Sequence, residues 1–180
     1  MFAELAYVQY CRLSWRYEHE GSPPQEDRMI ESVKEDSIAR AAAVHSAAWQ
    51  ASHKDFCAAD FVARHTPERQ EAYLREKMRR GTKVFLLTEE RPLGLVSVTG
   101  SLIEDLYVLP ELQNRGYGTR LLRFAIRQCE GVPILWILEN NRNAARLYRR
   151  LGFRETGRVH TSPGALSEIE FALCEPSTCQ

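Results

Sequence analysis

The sequence contains no apolar run approaching the roughly 18 residues that a membrane-spanning helix needs, so no span and no membrane partner are expected. It contains no C-x-x-C pair. Cys11, Cys57, Cys129, Cys174 and Cys179 are odd in number and widely spaced, which argues against a zinc site or a disulfide framework. Reduced thiols in a cytoplasmic protein are the expectation. The first residues lack a basic segment followed by an apolar one, being broken by Glu4, Arg12 and Arg16, so no secretory signal is read there. None of the five histidines stands at a metal-ligand spacing, and no metal is expected. With 24 basic and 24 acidic side chains, the chain also lacks the overall basic excess of a nucleic-acid binder.

What is present is a chain of 180 residues with 44% hydrophobic and 27% charged side chains, the make-up of one globular domain with a substantial core. The balanced charge conceals an asymmetry. Residues 1–114 hold 14 basic and 18 acidic side chains, whereas residues 115–158 hold ten arginines against Glu130, Glu139 and Glu155. Residues 159–180 add three glutamates and no base. The arginine excess favours a polyanionic ligand, although a solvated helix face has the same composition.

Residues 1–28 are dense in aromatics and run into the breaker Gly21-Ser22-Pro23-Pro24, which reads as an extension, a short helix or strand, followed by a linker. The domain is expected over residues 29–175, with 176–180 as a tail. Asp36 or Ser37 can cap a helix running to about Gln50, with Ile38, Ala42, His45 and Trp49 on one side. Thr66-Pro67 opens a second helix that stops at Gly81. Residues 83–88, 93–99 and 102–109 read as antiparallel strands joined by short turns. An amphipathic helix follows at about 119–129. The continuous apolar run at 134–138 predicts a strand buried on both faces and parallel to the one before the helix. A helix capped by Asn141 and two strands, 154–160 and 166–173, complete a mixed α/β sheet, antiparallel at first and parallel in the middle.

Two segments carry chemistry. Residues 113–119 read QNRGYGT between a strand and a helix. Two glycines at that spacing let the backbone turn with its N–H groups inward, and the helix N-terminus behind them completes an anion cradle. An ordinary strand-to-helix turn uses the same glycines. A nucleotide P-loop is excluded because Thr119 follows Gly118 without a lysine, and a dinucleotide fingerprint because Leu121 stands where its third glycine belongs. In the second segment Ala144, Leu147, Tyr148 and Leu151 share one helical face. Taken singly, Asn141 is a helix cap and Tyr148 a core aromatic.

Together these segments resemble the GNAT superfamily of acetyl-CoA-dependent N-acetyltransferases. Gln113, Gly116 and Gly118 match its [QR]-x-x-G-x-[GA] loop, and Asn141, Ala144, Leu147, Tyr148, Gly152 and Phe153 match its N-x-x-A-x-x-L-Y-x-x-x-G-F helix. The stretch from Leu106 to Glu111 looks like the strand entering the loop. The resemblance spans about residues 30–173 and implies a GNAT-like mixed sheet with a splayed central parallel pair, flanked by helices. It also implies that the backbone of Leu106, Tyr107 and Val108 pairs with the pantetheine arm. By the same resemblance the amides of Asn114, Arg115, Gly116, Tyr117, Gly118 and Thr119 hold the pyrophosphate. Gln113 and Ala144 join the cofactor site through the two motifs. Asn141 would reach the pantetheine, and Tyr148 would sit near the thioester sulfur. Acetyl-CoA is the implied cosubstrate and a primary amine, on a small molecule or a peptide, the implied acceptor. A homodimer is compatible with this reading.

A lysine-like amine has a pKa of about 10.4, so freeing its lone pair at pH 7 costs about 4.6 kcal/mol, and a base is useful. Glu104 and Asp105 are the candidates; alternation along a strand would point them to opposite faces, leaving one of them for the cleft, Glu104 for preference. Arg115, Arg120 and Arg146 are the arginines best placed for phosphates. In relatives the acceptor site is built from the first helices and last strands, here Trp49, His53, Lys54, Asp55 and Phe56 with Glu168 and Glu170, although core packing is the plainer role for Trp49. A CoA-binding regulatory or interaction module without turnover is the alternative function. The intact Tyr148 and the carboxylates favour catalysis.

Overall fold

The computed structural model describes residues 25–55, 57–161 and 167–174. The aromatic segment 1–24 lies outside the described residues. Gln25–Met29 forms a 3-10 turn whose Asp27 pairs with Arg127. Seven strands make one sheet: β1 (Ile30–Ser32), β2 (Lys83–Thr88), β3 (Pro92–Thr99), β4 (Leu102–Val108), β5 (Ile134–Leu138), β6 (Phe153–His160) and β7 (Glu168–Leu173), in the order β1-β2-β3-β4-β5-β7-β6. Every neighbouring pair is antiparallel except β4 and β5. Five α-helices accompany them: α1 (Ile38–His53), α2 (Ala59–Ala63), α3 (Pro67–Arg79), α4 (Tyr117–Gln128) and α5 (Arg142–Arg150). The mixed sheet and its central parallel pair are as expected; β1 and the short α2 are additions to the sequence reading.

β3 is the centre of the core. Residues 93–98 are all buried because helices cover both faces of the strand. Ser97 meets Lys77 of α3 on one side, and Gly94 lies under Leu121 of α4 on the other. α1 packs on the same side as α3, burying Ile38, Ala41, Ala42 and His45. The caps follow the sequence: Thr66 Oγ1 accepts from Arg69 N at the head of α3, with Pro67 at its first position. Ser37 instead turns its hydroxyl back to bond Lys34.

One expectation fails. The run Ile134–Leu138 alternates, with Leu135 and Ile137 buried and Ile134, Trp136 and Leu138 half-buried. Leu135 and Ile137 join the hydrophobic core, whereas Trp136 on the opposite face borders an open depression beside β6 and β7. β7 also inserts between β5 and β6, so the last two strands do not extend the sheet in chain order.

A Cβ at Gly94 would lie 2.7 Å from the carbonyl oxygen of Tyr107 and 2.9 Å from Leu121 Cδ1. Gly94→Ala therefore forces β3 away from β4 and should lower stability by about 1–3 kcal/mol, the usual cost of overpacking, read from its denaturant midpoint.

Candidate active site

The parallel pair is brief. Leu102 aligns with Ile134 and Ile103 with Leu135, and there the ladder ends. From Glu104 onward β4 is bonded to β3 alone, and a gap opens between it and β5. The cause lies within β4. Ser97 is opposite Glu104 and Leu95 is opposite Tyr107, so three steps on β4 match two on β3. Asp105 absorbs the extra residue with a left-handed φ of 44°. This bulge bends the strand away and abolishes its alternation.

The bulge also corrects the expectation that Glu104 and Asp105 point to opposite faces. Both reach the side covered by α1 and α3, where Lys77 Nζ lies 3.0 Å from Glu104 Oε2 and 2.5 Å from Asp105 Oδ2. Asp105 further accepts from Ser97 Oγ at 2.7 Å and from Tyr73 OH at 3.2 Å. His45 Nε2 lies 3.3 Å from its Oδ1; a carboxylate only accepts, so Nε2 carries the hydrogen. Nδ1 of this buried ring has no partner among the described residues. Burial alone would raise the Asp105 carboxyl, but the His45 bond and the Lys77 charge outweigh it and hold the group well below the usual carboxylate range. Lys77 is displaced the other way: burial would lower it, and Asp105 holds it above its ordinary value. Burial of its hydroxyl end and the nearby Asp105 push Tyr73 up to about 12. Glu104 is more open, about 30% exposed, and accepts from Thr99 Oγ1 at 2.9 Å. Lys77, Tyr73 and Ser97 were missed by sequence reasoning, since their meeting depends on a bulge with no sequence signature.

At the C-terminal end of β4 the backbone enters the loop. Gln113 Nε2 donates to Val108 O, folding the loop back on its strand. Asn114 (φ 61°) and Gly116 (φ 92°) take the left-handed turns, so asparagine does half the work assigned to the glycine pair. Gly118 has a different role. It lies inside α4, which starts at Tyr117, two residues earlier than expected, and a Cβ there would meet Leu147 Cδ2 at 3.5 Å. The first N–H groups of α4 thus remain at the loop, beside Leu147 and Arg150 of α5, and at the head of α5 Asn141 Oδ1 accepts from Ala144 N. The cap role of Asn141 is therefore real, and only its amide nitrogen is left to reach outward.

Around this loop Arg150 Nη2 donates to Thr119 Oγ1 at 3.0 Å, an arginine that composition did not single out. Arg120 faces Glu89 at 3.8 Å and Tyr117 OH donates to the same carboxylate, while Arg146 bonds Asn143 and Arg115 is exposed. Leu106 and Tyr107 are half-buried and Val108 is buried. Tyr148 is 7% exposed, beside Phe153 and Phe171, and burial holds its phenol above the ordinary range. Tyr107 is raised likewise, chiefly by burial, with Asp105, Tyr73, Tyr148 and Glu168 adding to the effect.

Trp49 is not available to line it. His53 stacks on one side of the indole at 3.8 Å, His65 on the other at 3.4 Å, and Phe61 packs at the edge. Trp49 is half-buried and packs in this ring cluster outside the hydrophobic core. Lys54 and Asp55 are exposed, and Phe56 lies outside the described residues. Glu168 lines a depression on β5, β6 and β7, and Glu170 is buried beneath Arg158.

A mixed sheet whose central parallel pair parts over a helix-borne anion cradle defines the class of protein: a GNAT-type acyltransferase fold. A family model described as the acetyltransferase (GNAT) domain matches residues 80–155. The peptidyl-lysine N-acetyltransferase YjaB of Salmonella typhimurium is 28% identical over 75 residues, 42% of this chain and 51% of the relative, so the match spans about half the length of that protein. The apo form of YjaB from Escherichia coli superposes with a TM-score of 0.58 at 19% identity, over 79% of this chain and 95% of the other. The PaiA N-acetyltransferase of Thermoplasma acidophilum, solved in complex with coenzyme A, superposes with a TM-score of 0.58 at 15% identity, over 78% and 96%. Residues 80–155 thus match the GNAT acetyltransferase domain, and the described fold is that of solved N-acetyltransferases.

Removing the cation from the bulge leaves two carboxylates facing each other, so Lys77→Met should cost roughly 3–5 kcal/mol, as for breaking a buried pair. Because the folded Asp105 titrates below its unfolded value of about 3.9, its contribution is complete above that pH and is lost as pH falls through the lower folded value. Acid unfolding below about pH 4 should therefore be shallower in Asp105→Asn than in the parent, measured by circular dichroism.

Proposed function

We propose that the protein transfers the acetyl group of acetyl-CoA to a primary amine by direct attack in a ternary complex. The parting of β4 and β5 beyond Ile103 and Leu135 carries this reading, because it leaves one edge of Leu106, Tyr107 and Val108 without a strand partner. An amide-rich pantetheine arm can complete that edge as an added strand would. The residues around the gap suit the rest of the cofactor. Asn114, Arg115, Gly116, Tyr117, Gly118 and Thr119 bring left-handed turns and helix N–H groups to a pyrophosphate, with Gln113 holding the loop and Ala144 and the Asn141 amide facing it. Arg150, Arg146 and Arg115 supply positive charge nearby.

The amine lone pair attacks the thioester carbon, a C–N bond forms, the C–S bond breaks, and the thiolate leaves. Tyr148 hydrogen-bonds the developing thiolate. Its burial-raised pKa keeps it a donor, and full proton transfer to the sulfur is uphill by more than about 2 kcal/mol, the difference set by the reference values. The amine proton goes through water to Glu104, the more open carboxylate. Asp105, held ionised by Lys77 and His45, is a poor proton acceptor and maintains the bulge. The catalytic unit occupies residues 29–175, in a cytoplasmic setting where Cys57, Cys129 and Cys174 stay reduced, as their unpaired state supports.

Acetyl-CoA should stabilise the protein by about 2.7 kcal/mol at a hundredfold excess over its Kd. No shift in Tm at millimolar acetyl-CoA would remove the reading. Gly118→Glu places an anion at the cradle and should weaken cofactor binding at least about tenfold in calorimetry. Tyr148→Phe should lower kcat by about tenfold to a thousandfold with cofactor affinity nearly unchanged, given that one oriented donor is worth up to roughly 4 kcal/mol. Tight acetyl-CoA binding without thiol release across a panel of amines would point to a binding module instead.

A further inference from the structure

Glu89 stands in the turn between β2 and β3, and its two carboxylate oxygens meet the first turn of α4. Tyr117 OH donates to Oε2 at 3.2 Å, and Arg120 Nη1 lies 3.8 Å from Oε1. Arg120 N is the first amide of α4 to donate within the helix, to Gly116 O at 3.0 Å, so the N–H groups of Tyr117, Gly118 and Thr119 precede the ladder. The first turn of α4 holds no acidic residue, while Arg115 and Arg120 add cations to the positive end of the helix dipole. Glu89 supplies an anion there from outside the helix.

The turn that carries Glu89 is braced. Arg91 Nη2 donates to Glu111 Oε1 at 2.9 Å, and Glu89 N donates to Arg91 O at 3.1 Å. Arg91 thereby engages Glu111, the carboxylate on the other side of the loop, and Glu89 is the one that faces Arg120. This last pairing is loose. Its 3.8 Å separation exceeds hydrogen-bond length, although Arg120 is only 14% exposed. A guanidinium shielded from water, beside the cradle and not hydrogen-bonded to its carboxylate, can accept a stronger anion.

Resting on the acetyltransfer reading, we propose that Glu89 is an internal counter-anion of the cofactor site, which the pyrophosphate of acetyl-CoA displaces from Arg120 and Tyr117. A pyrophosphate carries more charge than one carboxylate and offers a guanidinium two acceptor oxygens at once. Binding therefore exchanges one anion for another at the same cation, and the contacts of Glu89 must break as it proceeds. Glu89 thus lowers cofactor affinity. After transfer the carboxylate returns to Arg120 as CoA departs, which speeds product release.

The test measures CoA binding to the full chain by calorimetry. Glu89→Gln keeps an acceptor for Tyr117 but removes the competing charge, and should bind CoA about fivefold more tightly, the scale of one partly exposed charge contact. Stopped-flow displacement should place that gain in slower CoA release. In an Arg120→Met background Glu89→Gln should change CoA affinity by less than about twofold, because no cation is left to exchange. With N,S-diacetylcysteamine, a thioester without phosphates, Glu89→Gln should leave KM within about twofold of the parent. Unchanged or weaker CoA binding by Glu89→Gln overturns the proposal. So does a gain that persists beside Arg120→Met, since that gain is long-range repulsion and not exchange. A parent protein that binds no CoA defeats the acetyltransfer reading and this proposal together, an outcome separate from the others because it is read before any substitution.

Discussion

The ammonium of Lys77, wedged between Glu104 and Asp105, fixes the geometry on which the rest of the site depends. An extra residue in the middle of a strand costs a ladder position and forces Asp105 into a left-handed conformation that a side chain adopts reluctantly. Five polar groups from α1, α3 and β3 offset that strain locally: His45, Tyr73, Lys77, Ser97 and, through Glu104, Thr99. The carboxylates that look catalytic in the sequence are, in the fold, first of all the anchors of a bend.

From that bend the site follows. β4 can pair with β5 for two residues and then must leave it. The strand arrives at the loop with one edge unpaired, Gln113 ties the loop to Val108, and Asn114 and Gly116 swing the chain into α4 so that its amino end faces the gap. α5 comes in from the other side with its cap and Tyr148. A single register irregularity in β4 thereby parts it from β5.

The arginine excess concentrates on two helices. Of the ten arginines of residues 115–158, eight lie on or just before α4 and α5, while Arg154 and Arg158 lie on β6. On β7 Glu168 and Glu170 share the face of Trp136, and the exposed guanidinium of Arg158 covers Glu170.

Much of this was legible from residues alone. Hydrophobic periodicity, the Thr66-Pro67 cap, the short turns between β2, β3 and β4, and the Gln113, Gly116 and Asn141 spacings are local signals, and each places its element to within a residue or two. The bulge at Asp105 has no such signal, because it is decided by how β4 meets β3, α1 and α3 together. Trp49 shows the same limit: its sequence position suits a substrate cage, but His53 and His65, twelve residues apart in the chain, close both faces of the ring. The alternation of Ile134–Leu138 likewise depends on which face neighbouring helices leave uncovered. Sequence determined the elements, their caps and the anion loop, since those rest on interactions within a few residues. Tertiary structure alone decided which carboxylates are neutralised, where the parallel strands part and which face stays open, since each is set by contacts between residues far apart in the chain.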